Sequence, residues 1–178
     1  MKFTCIGFDI KEWPPKNLIG TDETSWDSND SAYQKISEQF NIMENEYQLL
    51  DIKDDHILDL VGKYIKNSND SNLVAIELPS DIVEHNNRKH GYKTGQHNFD
   101  LSPFFLLGFD VCDINGLFSI LHHPEIIDLR NQEGIIDKNN LEKALEIVQF
   151  ANVIDKKHSP FAVVKLFSLK PYEYMTYS

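Results

Sequence analysis

Positive charge is scarce in this chain: 17 lysines and arginines stand against 28 aspartates and glutamates, a formal net charge of −11 over 178 residues. Nucleic-acid and anionic-membrane binding both need a basic face, so this balance argues against either and makes a basic protein the natural complement. Cysteine is nearly absent. Cys5 and Cys112 both lie in apolar surroundings, as buried reduced thiols do. No long apolar run is free of charge. The densest, Leu101 to Leu121, carries Asp110, Asp113 and Asn115 at its centre, and a charge at mid-membrane costs about 2.5–3.5 kcal/mol. Lys2 is followed by a mixed strand-like stretch and not by the apolar core of a signal peptide, which gives the expectation of a cytoplasmic protein. No repeat or linker interrupts the chain, so residues 1–178 are expected to form one domain. A nucleophile elbow, a P-loop, H-E-x-x-H and G-x-G-x-x-G are all missing, so neither an enzyme nor a cofactor is expected.

What is present is an ordered core. Hydrophobic residues make up 41% of the chain, with 11 Phe, 7 Tyr and 2 Trp. Lys2 to Ile10 reads as a buried strand with Thr4, Ile6, Phe8 and Ile10 on one face, stopped by Pro14 and Pro15. Tyr33, Ile36, Phe40, Met43, Tyr47 and Leu50 form a stripe at helical spacing, and Ser31 with Gln34 makes a capping box, which predicts one helix from Ser31 to Leu50. Ile57, Leu60, Val61, Tyr64 and Ile65 predict a second helix capped by Asp54 or Asp55. Leu73 to Leu78 and Phe161 to Leu169 read as strands, Ile126 to Leu129 as a short one, and Leu141 to Ala151 as a helix capped by Asp137 or Asn139. The run from Leu101 predicts a central strand buried on both faces. Residues 80–100 show no period and read as a long loop, a feature that is uncommon inside a compact domain unless functional. The expected fold is α+β (mixed α/β), a small sheet of about four to five strands covered by about three helices.

Three groups of residues bear on chemistry. His85, His90 and His97 offer imidazoles, yet spacings of five and seven match no ligand pattern, so no metal is expected and a solvated, locally positive loop is the better reading. Asp110 and Asp113, with His122 and His123 further along, are raw material for acid–base catalysis, although aspartate at a strand end also forms turns. The third group is the acidic half. Eleven acids lie between Asp22 and Asp59 against Lys35 and Lys53, which places nine of the eleven net negative charges there. With Trp26 beside them, Asp22, Glu23, Asp27, Asp30, Glu38, Glu44 and Glu46 form the expected surface for a basic partner, since an aromatic next to charge is the make-up of an interface hot spot.

Leu107-Gly108-Phe109-Asp110-Val111, then Asp113, Gly116-Leu117 and Ser119, resembles a G-[FY]-D-V-x-D run of small cytosolic proteins encoded beside bacterial toxins. In size, acidity and lack of catalytic motifs the chain also resembles immunity proteins of contact-dependent inhibition and other polymorphic-toxin systems. That resemblance implies a cognate toxin domain, often a basic nuclease, bound and blocked, with no catalytic residues carried over. Two other classes stand beside it. One is a small cytosolic hydrolase or metal-dependent enzyme using the histidine-rich loop, or Asp110, Asp113 and His122. The other is a regulatory subunit of a cytosolic assembly docked through the acidic helices.

Overall fold

The computed structural model describes residues 1–14, 28–130 and 135–171. Its elements run β1 (Phe3–Glu12), α1 (Asp30–Phe40), α2 (Asp55–Lys66), β2 (Ser71–Pro79), α3 (Ser80–His90), β3 (Phe105–Asp113), β4 (Ile136–Asp137), α4 (Leu141–Ile154) and β5 (Phe161–Ser168). The five strands form one antiparallel sheet in the order β1-β2-β5-β3-β4. The fold is α+β, with four helices among the described residues where about three were expected. No helix among them is long and apolar enough to cross a membrane.

Cross-strand partners point to the same side of a sheet, so the register assigns the two faces. One face carries Phe8 beside Ala75 and Phe167, and Ile10 beside Leu73. Phe8, Ile10, Leu73 and Ala75 are buried in one cluster with Ile36 of α1 and with Leu58, Val61 and Ile65 of α2. Farther along this face Val111 pairs with Val163 and Phe109 with Lys165. Phe109, Val111 and Val163 are buried in a cluster with Ala144, Ile147 and Ala151 of α4. The other face carries Asp9, Val74, Ile76, Leu166, Val164, Asp110 and Cys112. Tyr47, Leu49 and Val83 of α3 join Ile6, Ile76 and Leu78 in the core and close one end of this face.

Several expectations need correction. A bulge between Cys5 and Gly7 breaks the alternation of β1, so Ile6 is buried in a different cluster from Phe8 and Ile10 instead of sharing their face. The stripe from Tyr33 to Leu50 is not one helix. Asn41 takes a left-handed conformation (φ 51°) that ends α1, and Leu50 instead bridges back to Phe8, leaving Met43 72% exposed. The cap of α1 is Asn29, whose side chain accepts from the Ala32 N–H, rather than Ser31. For α2, Asp54 caps as expected, accepting from the Ile57 N–H. Residues 80–100 are not a single loop, since α3 fills their first half and stops at Gly91 (φ 70°). Residues Ile127–Leu129 form a 3-10 turn in place of the expected strand. β3 is not the central strand. β5 holds that position, and Phe105 at the start of β3 is 50% exposed.

Candidate functional site

On the sheet face that carries Asp9 and Asp110 lies a cleft of about 670 Å³. Ile76, Val164 and Leu166 form its floor, with Leu49 beside them. Asp9 and Lys11 enter from β1, and Asp110 and Cys112 from β3. One rim is made by Asp30, Tyr33, Glu44 and Gln48, the other by Gly116 and Leu117. Four carboxylates therefore line the cleft, against Lys11.

Hydrogen bonding divides these acids. The Lys11 ammonium lies 2.9 Å from the Asp9 carboxylate, and the pair is largely buried. Ser28 Oγ donates to Asp9 (3.2 Å) and accepts from Lys11 Nζ (3.3 Å). Asp110 Oδ1 accepts from the Val111 N–H (2.6 Å) and the Ser119 hydroxyl (2.5 Å). Burial pushes the Asp110 carboxyl above its ordinary value, against the pull of Ser119, the Val111 amide, Cys112 and Lys11. Burial, then the charge of Asp110, pushes the Cys112 thiol far up as well, so the nucleophilic thiolate is suppressed. Glu44 Oε2 accepts from the Tyr33 hydroxyl (3.0 Å). Burial and this bond push the Tyr33 phenol up, which keeps it a donor.

The acids expected to form the partner surface separate in space. Asp22, Glu23, Trp26 and Asp27 lie outside the described residues. Asp30 and Glu44 reach the cleft. Glu38 is exposed on α1 and accepts from Gln34 one turn back (3.0 Å). Glu46 is a strut: its carboxylate takes the Lys93 N–H (3.2 Å) and the Thr94 hydroxyl (2.7 Å), tying residues 93–94 to the turn before Tyr47. Burial opposes its ionisation, but the Thr94 hydroxyl, backbone N–H groups and Lys53 together hold its carboxyl below the ordinary value.

The histidines do not converge. His85 is exposed on α3, His90 lies against Tyr92 (5.2 Å between ring centres), and His97 Nε2 pairs with Asp55 (3.0 Å). Among the described residues no three His, Cys, Asp or Glu side chains come together as metal ligands. Asp113 is spent on its own turn, accepting from the N–H groups of Asn115 (3.0 Å), Gly116 (2.7 Å) and Phe118 (2.9 Å). His123 Nδ1 accepts from the Glu125 N–H, and neither His122 nor His123 is among the cleft residues.

Asp9, Lys11 and Leu117 escaped sequence reasoning as site residues. The first two sit inside an apparently apolar strand, and a charged side chain interrupting a buried alternation is the signal that marks a cleft wall. Leu117 and its neighbour Phe118 read as core because the run around them is apolar. The Asn115-Gly116 turn signal before them is what places them at the surface. Comparison with protein families, curated proteins and solved structures gave no significant match to this chain.

Proposed function

We propose that this chain is an immunity protein that binds and neutralises a cognate toxin domain, a basic nuclease whose phosphate-binding surface it occupies. The observation that carries this reading is the cleft. Its carboxylates Asp9, Asp30, Glu44 and Asp110 face one cation, Lys11, in a chain of net charge −11. A nuclease site built for phosphates presents lysine and arginine, and a concave acidic surface matches that potential while raising the encounter rate. The suppressed Cys112 thiol and the absence of converging histidines among the described residues leave the cleft better suited to binding than to chemistry. The G-F-D-V-x-D resemblance points the same way, because Asp110 of that run is the carboxylate β3 delivers to the cleft.

The test uses the product of the gene adjacent to the one that encodes this chain, which the reading expects to carry a toxin domain. Surface plasmon resonance at two ionic strengths is expected to give tight binding whose association rate falls as salt rises. Co-expression is expected to protect cells from that toxin. Absence of binding, or binding indifferent to salt with no protection, overturns the reading.

A further inference from the structure

Sequence reasoning placed the aromatic anchor of the partner surface at Trp26, which lies outside the described residues. Phe118 is 74% exposed, the most open aromatic side chain among them. It stands at the end of the turn that forms one rim of the cleft, next to Leu117 and Gly116. This turn is held firmly. The Asp113 carboxylate, itself only 6% exposed, gathers three of its N–H groups. Leu117 adopts φ 56°, a left-handed conformation that bulky side chains rarely take and that persists only where the surroundings impose it. The Phe118 ring lies across Gly116, where a Cβ would come within 2.7 Å of it. A buried carboxylate and a strained leucine thus hold a phenyl ring in water.

The cleft beside the ring has two characters. Its floor of Ile76, Val164 and Leu166 is apolar, while Asp110 on its wall and Asp30 and Glu44 on the rim across from the ring are acidic. Lysine and arginine share this division, with an aliphatic stem and a cationic end. Resting on the reading above that the partner is basic, we infer that Phe118 and the cleft form one contact surface for a lysine- or arginine-bearing loop of the toxin. The stems of that loop lie on Leu117 and Phe118, and its cationic ends reach Asp110 and Glu44. Charge complementarity selects this occupant: Asp9 is already matched by Lys11, while Asp30, Glu44 and Asp110 have no cation within ion-pair distance among the described residues. A cation over the Phe118 face adds a favourable contact with the ring. A few anchors near the centre of an interface carry most of its energy, and partner binding would cover the exposed Phe118 ring.

Two experiments on the full chain test this. In the first, an acetylated and amidated peptide Leu-Arg-Gly-Arg-Leu is titrated into isotope-labelled protein, with its citrulline counterpart as the uncharged control. Amide shifts are expected at residues 115–119, at Asp110 and at Ile76 with the arginine peptide and not with citrulline. Shifts confined to the outer faces of α1 and α2, or equal shifts with citrulline, overturn the inference. In the second, Phe118→Ala is compared with Phe150→Ala, an exposed aromatic on α4 far along the chain from the cleft. Phe118→Ala is expected to raise the dissociation rate of the toxin complex by about tenfold or more, with Phe150→Ala unchanged. Equal rates for Phe118→Ala and wild type overturn the inference even where the toxin binds with the expected salt dependence. If the toxin fails to bind wild type while the arginine peptide still maps to the cleft, the immunity reading fails and the basic-segment site stands.

Discussion

Asp113 joins the fold to the proposed surface, and its removal has a calculable cost. Its carboxylate accepts three N–H groups: Oδ1 takes Asn115 and Gly116, and Oδ2 takes Phe118. Hydrogen bonds to a charged group contribute about 1.5–3 kcal/mol each. Asn115, Gly116 and Phe118 are all exposed, so water replaces much of what their amides lose. Discounting each bond to about 1 kcal/mol gives about 3 kcal/mol for Asp113→Ala. Asp113→Asn retains one acceptor oxygen, the atom that serves two of the three amides, and is expected to cost about 1 kcal/mol. Urea titration of both variants measures the two values, with unchanged denaturant slope showing that the native state stays intact. A loss under about 0.5 kcal/mol for Asp113→Ala, or equal losses for the two variants, would refute the clamp and release the turn from its role in presenting Phe118.

Phe109→Ala empties a core site that is 3% exposed and should cost about 3–5 kcal/mol by the same titration; a loss under about 1 kcal/mol would place the core elsewhere. Gly108→Ala brings a Cβ to 2.2 Å from the Ile136 carbonyl oxygen, so it should lose about 1–3 kcal/mol and detach β4, read as new amide exchange at Ile136 and Asp137. Burial holds the Asp110 proton to higher pH in the folded chain than in the unfolded one, so ionisation above the ordinary value of 3.8 costs stability. Asp110→Asn should therefore melt higher than wild type at pH 7, with the advantage vanishing as pH falls below 3.8. An advantage that does not change with pH would show that Asp110 is not the titrating group.

Local signals were sufficient wherever one segment decides its own structure. α2 formed where Ile57 to Ile65 keep helical spacing behind the Asp54 cap, and α4 where Leu141 to Ala151 share a face, although its cap is Asn140 and not Asp137 or Asn139. Two failures share a cause. Tyr33 to Leu50 keeps helical spacing, yet Leu50 exchanges both backbone hydrogen bonds with Phe8 of β1, and Asn41 supplies the left-handed exit, so tertiary pairing overrides the local pattern. In α3 the buried face holds Val83 and Asn86, and Asn86 is buried because its amide donates to the Tyr47 hydroxyl (2.9 Å) and the Ile114 carbonyl (3.3 Å). A polar residue on the inner face hides the helical period from any hydrophobic pattern. Its endpoints, Pro79 before the first turn and Gly91 after the last, were the available signal.

The cleft was harder to read because no stretch of chain contains it. Its walls come from β1 and β3, which the order β1-β2-β5-β3-β4 places on either side of β2 and β5, and such non-local pairing leaves no mark on local periodicity. Of the acids between Asp22 and Asp59, Asp30 and Glu44 reach the rim of the cleft. Asp110, on the opposite wall, comes from the apolar run, where the sequence offers it with Asp113 as acid–base material and not as part of a binding surface. Charge inside an apolar strand is costly unless the strand end faces a partner or a cleft, and Asp113 and Asp110 resolve that cost in two ways. Asp113 is satisfied by its own turn and becomes structure. Asp110 keeps a carboxylate at the cleft with burial working against its charge, so a cation brought there by a partner gains more than it would at an exposed acid. That difference between two aspartates three residues apart is why the run both builds the sheet and marks the site.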